Sequence, residues 1–351
     1  MTNGDHAVTK LEGLSLKNDW KVTKLVSRSD DATGGMFSCS YIVEKEGKPY
    51  FLKAFDFSRA SEATDLAQAL QQLTTAYLYE RDLLLYCNER KLRRVVHAVD
   101  HGEVQVPGFP GVIGRVLYLI FDLADSNLRE QVSVSARLDT MWCIKALKET
   151  AASMRQVHGV KIAHQDTKPS NVLKFGSNFR LADFGRASRE GYAALHDHLA
   201  VAGDRTYAPP EQLYDMRDPD FVARRFGCDL YMLGNLAAFL FTGINVTAAL
   251  FDRLNPQFRP DNWTEEYSKV LPYLVTAYTD VIADIRKKID ATVVNEIVPI
   301  IQELCNPDLA QRGCPKGISR GNQYSLERYD SRLNLISQQV EWRVRAGQKT
   351  G

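Results

Sequence analysis

The chain has 351 residues, with 44 Lys and Arg against 43 Asp and Glu, which gives a formal net charge of +1 at pH 7. Hydrophobic residues make up 44% and charged residues 25%, close to an average globular protein, which argues against a disordered chain, a collagen-like repeat and a disulfide-stapled miniprotein. A nearly neutral chain has no overall field, so we expect no binding of nucleic acid or of an anionic membrane surface.

The cysteines and the apolar stretches point to a cytoplasmic protein. The six cysteines are scattered, with no Cys-x-x-Cys pair, and indicate small hydrophobic side chains in a reducing compartment rather than a zinc site. The first residues form no apolar leader. The most apolar stretch, residues 230–243, is shorter than the about 20 residues that a membrane-spanning helix needs.

In chain order, the N-terminal part is rich in strands, with a single long helical pattern that lacks Gly and Pro. The predicted strands are 22–26, 37–45, 49–57, 95–99 and 114–121, and the predicted helix is 61–90. Beyond residue 128 helices dominate. A helix over 140–158 precedes loops and short strands over 162–187, and helical patterns then fill 229–304.

The tail carries one more helical pattern. Its apolar residues recur every three or four positions, at Leu326, Tyr329, Leu333, Ile336, Val340 and Val344. We expect this amphipathic helix to pack against the helical part of the same chain, with a dimer seam as the alternative. It is also a candidate surface for partner contacts.

The residues with the clearest chemistry lie between 162 and 185. A carboxylate (Asp166), an ammonium (Lys168) and a carboxamide (Asn171) share one short loop, and a second carboxylate, Asp183, stands in Asp-Phe-Gly. Phosphoryl transfer needs such groups: a base for a hydroxyl, a cation for the moving phosphate and oxygen ligands for Mg²⁺. Asp-Phe-Gly alone is a weak signal, but its spacing from Asp-x-Lys-x-x-Asn makes a chance pattern improbable.

At these residues the sequence resembles the protein-kinase family, and the resemblance runs from about residue 22 to 312. The resemblance implies that Asp166 orients the acceptor hydroxyl as a base and that Lys168 contacts the γ-phosphate. It also implies that Asn171 and Asp183 bind Mg²⁺. ATP is then the phosphate donor and a protein is the acceptor substrate.

The resemblance also assigns residues to nucleotide binding. Lys53, on a predicted strand, would contact the phosphates, with Glu80 on the long helix as its ion-pair partner. Phe121 would be the gatekeeper, and the backbone of Asp122 and Leu123 would meet the adenine. The remaining positions implied to contact the nucleotide are Gly34, Gly35, Phe51 and Leu173.

Three later motifs resemble protein kinases rather than small-molecule kinases. Tyr207-Ala-Pro-Pro-Glu211 is similar to the Ala-Pro-Glu motif, and Arg312 falls where the family places the arginine that pairs with that glutamate. Asp229 matches the aspartate that supports the backbone of the catalytic loop. Their order along the chain is that of the family.

The sequence departs from the family pattern at four places. The Gly-rich loop is reduced to Gly34-Gly35, and Phe51 replaces a small residue that roofs the adenine. Gln165 replaces the arginine that reads a phosphorylated activation segment, so we expect no activation by phosphorylation of Ser188, Tyr192 or Thr206. Asp204 stands where Ser/Thr kinases usually carry Thr. In the same segment, His196 and His198 are expected at exposed loop positions rather than as metal ligands.

We therefore predict an α+β, bilobal protein-kinase-like fold. Its parts are an N-terminal extension (1–21), a strand-rich lobe (22–121), a hinge with a helical lobe (122–312) and a helical tail (313–351). The predicted function is ATP- and Mg²⁺-dependent phosphorylation of Ser or Thr in proteins. The alternatives are a pseudokinase scaffold whose nucleotide site is blocked by Phe51, and a small-molecule kinase of related fold.

Overall fold

A computed structural model describes residues 6–26, 38–57, 60, 63–134 and 139–347. The chain divides between Ala124 and Asp125 into two compact units, a first unit that ends at Ala124 and a second that begins at Asp125. The first unit is strand-rich and the second is helix-rich, which confirms the predicted α+β class. Gly34 and Gly35 lie outside the described residues, so their predicted role stays a prediction.

The first unit is built on one antiparallel sheet of five strands, in the order β1-β2-β3-β5-β4. The strands are β1 (Lys21–Val26), β2 (Ser38–Lys45), β3 (Lys48–Phe55), β4 (Ala98–Gln105) and β5 (Arg115–Asp122). Successive side chains of a strand point to opposite faces, so Leu52 and Ala54 of β3 enter a core on one face. Phe51 and Lys53 therefore share the other face.

Residues 7–20, predicted as an extension, form part of the core of this unit. Leu11 and Trp20 are buried with Leu52 and Ala54 in one hydrophobic cluster. Polar contacts fix this segment, because the Tyr41 hydroxyl donates to Val8 O at 2.7 Å and Trp20 Nε1 donates to Asp100 Oδ2 at 2.7 Å. The segment thus covers the face of the sheet opposite to Lys53.

The long helix of the first unit, α1 (Leu66–Glu89), begins later than its sequence pattern. Asp65 ends the non-helical approach and caps the helix by accepting a hydrogen bond from Gln68 N at 2.9 Å. The strand predicted at 95–99 is also wrong in its bounds, since β4 runs from Ala98 to Gln105. The polar residues of β4 obscure its strand pattern, and a Cβ at Gly102 would lie 2.5 Å from the Tyr118 hydroxyl, so a larger residue there would force the Tyr118 ring to shift.

The second unit holds short strands around the segment that carries the chemistry. They form a three-stranded sheet, β6-β8-β9, and a two-stranded pair, β7 with β10. The strands are β6 (Ser126–Asn127), β7 (Ile162–Ala163), β8 (Val172–Phe175), β9 (Asn178–Leu181) and β10 (Ser188–Arg189). The tight loop from β7 to β8 carries Asp166, Lys168 and Asn171.

Helices make up most of the second unit. They are α2 (Leu128–Val134), α3 (Thr140–Gly159), α4 (Pro210–Leu213), α5 (Gly227–Thr242), α6 (Val246–Arg253), α7 (Tyr267–Lys288), α8 (Val294–Leu304), α9 (Pro315–Ile318) and α10 (Glu327–Gly347). The tail helix α10 packs against α3 of its own unit, as expected from its pattern. Its predicted apolar face is buried from Leu326 to Val340, whereas the side chain of Val344 lies outside the described residues.

Within the described ranges, no single helix is long and apolar enough to cross a membrane. One pair, Val222–Thr242 with Val246–Arg253, passes this test on length and composition when taken together, although it is bent by 89°.

Candidate active site

The loop between β7 and β8 is held from below by the buried carboxylate of Asp229, at the start of α5. Asp229 Oδ2 accepts a hydrogen bond from His164 N at 2.8 Å, and its Oδ1 accepts one from Gln165 N at 2.6 Å. Gln165 has a φ of 61°, a left-handed conformation that is unfavourable for a residue with a Cβ. The two hydrogen bonds from the backbone to one carboxylate hold the loop in this conformation.

The functional side chains of the loop contact one another directly. Asn171 Nδ2 donates to Asp166 O at 2.8 Å and to Asp166 Oδ2 at 3.0 Å, which fixes the carboxylate from the side of β8. Lys168 Nζ lies 3.3 Å from Asp166 Oδ2 and 3.2 Å from Asp204 Oδ2. The loop therefore presents a buried carboxylate whose orientation is set by an amide and an ammonium.

Asp204 holds the same carboxylate from the other side. Its backbone N–H donates to Asp166 Oδ1 at 2.8 Å. Its own Oδ1 accepts from the backbone and the hydroxyl of Thr206 at 2.9 and 2.7 Å. The approach is close because Gly203 precedes it: a Cβ at that position would lie 2.2 Å from Gln165 O and 2.8 Å from Asp166 Oδ1.

Burial and charge shift the proton affinities of these groups. Burial raises the pKa of Asp166, and the nearby Asp183 carboxylate raises it further, against the opposing effects of Lys168 and the Asp204 N–H. For Lys168, burial lowers the pKa, but the carboxylates of Asp166 and Asp204 outweigh burial and leave it raised. Asp166 is thus a better proton acceptor than an exposed aspartate, and Lys168 is held as a cation.

Asp183 is presented at the end of β9 by an unusual backbone conformation. Its φ of 64° and ψ of 78° place it in the left-handed region. The residue itself is exposed, whereas the next residue, Phe184, is fully buried and packs edge-on against the His164 ring at 5.1 Å. His164 Nε2 lies 2.9 Å from Ala182 O, and this contact connects the loop between β7 and β8 to the turn at Asp183.

In the first unit, the ion pair predicted between Lys53 and Glu80 is formed. Lys53 Nζ on β3 donates to both carboxylate oxygens of Glu80 on α1, at 2.8 and 3.0 Å. Glu80 is 3% exposed, so the pair is shielded from solvent on the carboxylate side. The pair fixes an ammonium on the sheet face that Phe51 shares.

The other residues predicted to contact the nucleotide are divided between the two units. In the first unit, the Phe51 ring lies 6.4 Å from the ring of Phe121, and Asp122 Oδ1 accepts from Lys48 Nζ at 3.3 Å. Leu123 is exposed. In the second unit, Leu173 is half-buried on β8, where it pairs with Arg180 of β9. The roles of these positions in nucleotide binding stay predictions.

A cluster that the sequence analysis missed lies behind Gln165. The Arg225 guanidinium, within a short π-helix over Val222–Phe226, donates to Gln165 Oε1 and to Asp197 Oδ1. No sequence motif predicts this contact, because Gln165 and Arg225 are 60 positions apart and belong to no common pattern. The expected exposure of His196 is wrong, since the ring is buried beside Ser188, whereas His198 is exposed.

The predicted pairing of Glu211 with Arg312 is also formed. Arg312 NH1 and NH2 donate to the two oxygens of Glu211 at 2.6 and 2.7 Å, and the arginine side chain has no exposed surface. The pair joins α4, which contains Glu211, to the chain that follows α8. The contacts expected for Asp229, Glu211 and Arg312 are thus all formed within the second unit.

Comparison with known proteins agrees with this geometry. Over residues 33–319 the sequence matches the profile of the protein kinase domain. The chain belongs to the protein kinase family. Residues 6–20 and helix α10 lie outside the matched kinase domain, although each packs within its own unit.

The similar curated kinases are distant. Aurora kinase A-A of Xenopus laevis is 28% identical over 189 residues, which cover 52% of this chain and 41% of that protein. The serine/threonine-protein kinase AfsK of Streptomyces coelicolor is 33% identical over 93 residues, 26% of this chain and 11% of that protein. The serine/threonine-protein kinase MRCK gamma of Mus musculus is 25% identical over 271 residues, 75% of this chain and 15% of that protein. The chain thus spans less than half the length of each of these relatives.

Proposed function

We propose that this protein kinase transfers the γ-phosphate of ATP to Ser or Thr hydroxyls of a protein substrate and depends on Mg²⁺. One observation carries the proposal. The carboxylate of Asp166 is buried, is oriented by Asn171 and lies 3.3 Å from the ammonium of Lys168, which is an arrangement suited to a hydroxyl nucleophile beside a phosphate.

In the proposed mechanism Asp166 orients the acceptor hydroxyl and takes its proton as the oxygen attacks the γ-phosphorus, while the bond from that phosphorus to the bridging oxygen of the β-phosphate breaks and ADP leaves. The raised pKa of Asp166, caused mainly by burial, favours this proton transfer. Lys168 offsets the negative charge of the γ-phosphate, since it is a cation fixed between two carboxylates. In the first unit, the ammonium of Lys53, fixed by Glu80, binds the α- and β-phosphates.

Asn171 and Asp183 are the residues that we propose to hold Mg²⁺. Their oxygens fit the ion: Asn171 directs its Nδ2 to Asp166, which leaves its Oδ1 as an acceptor, and Asp183 offers an exposed carboxylate. Among the residues that the structure describes there is no group of three His, Cys, Asp or Glu side chains suited to a metal, so a purely protein cage is not at hand. Asn171 and Asp183 would thus supply protein oxygens to the ion, which would neutralise phosphate charge when bound.

The preference for Ser and Thr over Tyr rests on Lys168. By the family resemblance, Lys two residues after the catalytic aspartate is typical of Ser/Thr kinases, and the relatives named above as serine/threonine-protein kinases carry that activity in their names. Asp204 departs from the Thr that usually accompanies this lysine. Its carboxylate still contacts Lys168, so the contact is retained with a different side chain.

A second candidate function is a pseudokinase scaffold, and Phe51 is the observation that favours it. The Phe51 ring lies on the same strand face as Lys53 and is paired with Phe121, so this part of the sheet presents two aromatic rings. If these rings occupied the place of the adenine, the chain would not bind Mg-ATP. We favour the enzyme because Asp166, Lys168 and Asn171 keep a complete set of mutual contacts.

The test is phosphotransfer from γ-labelled ATP and Mg²⁺ to a generic protein acceptor, with the labelled residues identified by mass spectrometry. We expect label on Ser and Thr with the wild-type chain and its loss in Asp166→Asn and Asp183→Ala. Asp290→Asn is the control, because it makes the same substitution as Asp166→Asn at an exposed aspartate. Asp290 Oδ1 accepts hydrogen bonds from the backbone N–H and the hydroxyl of Thr292. Full transfer by Asp166→Asn would overturn the assigned base.

The pseudokinase alternative is decided by binding. Mg-ATP should raise the melting temperature of the wild-type chain. The absence of both a thermal shift and label, with a shift recovered in Phe51→Ala, would favour the scaffold.

A further inference from the structure

A closed ring of hydrogen bonds lies next to Asp166, at the loop between β7 and β8 (the catalytic loop). Arg225 NH1 donates to Gln165 Oε1, and Arg225 NH2 donates to Asp197 Oδ1 at 2.9 Å. Gln165 Nε2 donates to Ser188 Oγ at 2.8 Å, and Ser188 Oγ donates to Asp197 Oδ1 at 3.1 Å. These four side chains form the Gln165 ring, a closed cycle in which each side chain is hydrogen-bonded to two of the others.

The ring is shielded from water. Gln165, Ser188 and Arg225 are between 1% and 3% exposed, and Asp197 is the one member that reaches the surface. A buried guanidinium needs a carboxylate, and Asp197 supplies it. Hydrogen bonds to charged groups are stronger in a buried environment than at the surface. We therefore expect the ring to stabilise the local structure more than an exposed contact would.

The ring connects three parts of the second unit. Gln165 is adjacent to Asp166 in the catalytic loop, and its Nε2 also donates to Arg186 O at 3.0 Å, just after the Asp-Phe-Gly turn. Asp197 Oδ2 accepts from Ala194 N at 2.7 Å, which fixes the turn in the segment beyond β10. Arg225 belongs to the turn of helix that precedes α5. Loss of Arg225 would release all three at once.

We propose that Arg225 is a positioning residue for phosphotransfer. Through Gln165 it fixes the left-handed backbone next to Asp166, and through Asp197 it fastens the segment over residues 186–199 to the catalytic loop. This role rests on the proposed kinase activity, because it acts on the orientation of Asp166. It needs no added phosphate, since the carboxylate that pairs with the guanidinium belongs to the chain itself.

The first experiment measures steady-state phosphotransfer by the full chain with Arg225→Gln and Arg225→Lys. Loss of a charged hydrogen bond that orients a catalytic group costs a factor of about 10 to 100 in kcat. We expect that loss with Arg225→Gln, a KM for ATP within about twofold of wild type, and partial recovery with Arg225→Lys, which keeps the cation but not the fork. A KM effect without a kcat effect would overturn the proposal.

The matched control is Arg217→Gln. Arg217 also reaches the segment, where its NH1 donates to His198 O at 2.7 Å, but it pairs with Asp215 at the surface and does not contact Gln165. We expect wild-type kcat in this variant. An equal loss in Arg217→Gln and Arg225→Gln would mean that any arginine contact to the segment suffices, which contradicts the ring.

Two further readouts keep the test decisive if Arg225→Gln does not fold. Ser188→Ala opens the ring between Gln165 and Asp197 but leaves Arg225 paired with Asp197, and it should lower kcat relative to both the wild type and Arg217→Gln. Hydrogen exchange at the Gln165 and Ala194 amides needs no activity: it should rise at least about tenfold in a ring variant and stay unchanged in the first unit. Unchanged exchange would overturn the proposal, whereas an inactive wild-type chain with altered exchange would overturn only the proposed function.

Discussion

The pair formed by Glu211 and Arg312 allows a quantitative prediction for the stability of the second unit. The change is Glu211→Gln, which keeps the size of the side chain and removes its charge. Arg312 then remains fully buried with its Nε on Asn306 O at 2.9 Å but without a counter-charge. An arginine keeps its proton at all accessible pH values, so it cannot escape the penalty by becoming neutral.

The expected magnitude follows from this geometry. Breaking a buried ion pair by removing one partner costs about 3–5 kcal/mol, because the other charge is left uncompensated. The contact is bidentate, at 2.6 and 2.7 Å, and the arginine has no exposed surface, so we expect the upper half of that range. In the double variant Glu211→Gln with Arg312→Met the charge is gone as well, and the free energy of unfolding should recover by at least about 1 kcal/mol relative to Glu211→Gln alone.

The assay is urea unfolding followed by circular dichroism and by tryptophan fluorescence. Glu265→Gln is the control, since Glu265 pairs with Lys269 at 2.6 Å while both side chains are more than half exposed. That exposed pair should contribute no more than about 1 kcal/mol. If Glu211→Gln lost no more free energy of unfolding than Glu265→Gln, the buried pair would not stabilise the second unit more than an exposed pair does, and the reasoning would be wrong.

Three further predictions concern charge in the second unit. Asp204→Asn should lower kcat about tenfold with an unchanged KM for ATP in steady-state assays, because Lys168 loses one of the two carboxylates that fix it. Burial lowers the pKa of His196 from 6.5 to about 4, so only the unfolded chain binds that proton as the pH falls from 6.5. The free energy of unfolding should therefore drop by about 2 kcal/mol from pH 7 to pH 5 in wild type, and by less in His196→Gln. Phosphatase treatment should leave phosphotransfer intact, and a loss would show that a phosphate supports the segment.

The parts of the site that the sequence predicts are those fixed by short-range pattern. Asp166, Lys168 and Asn171 share one loop, so their contacts follow from a spacing that a family pattern can recognise. Lys53 and Glu80 are separated by 27 positions, but the strand and helix that carry them have regular patterns of their own. In the first case the residues are close because they share one short loop, and in the second a strand and a helix of regular geometry bring distant positions together.

What the sequence does not predict depends on contacts between irregular segments. Residues 7–20 bury Leu11 and Trp20 through short 3₁₀ turns and loops, which show no periodicity, and their partner Asp100 is 80 positions away from Trp20. His196 is expected at an exposed loop position, yet folding of the loop buries it. Arg225 reads as an ordinary charge next to Arg224. Its function depends on where Gln165 and Asp197 are brought by the fold, and neither hydrophobic pattern nor motif spacing contains that information.

The charge balance around Asp166 supports the proposed dependence of phosphotransfer on a divalent cation. Asp166, Asp183 and Asp204 supply three carboxylates against the single ammonium of Lys168, and the nearby Asp183 carboxylate raises the pKa of Asp166. Such a site repels the phosphates of ATP by itself. With a formal charge of +1 for the whole chain, no distant field offsets that repulsion. We therefore expect the site to accept a polyphosphate only together with positive charge, and we expect Asp204, where a neutral threonine is usual in the family, to make that requirement stronger.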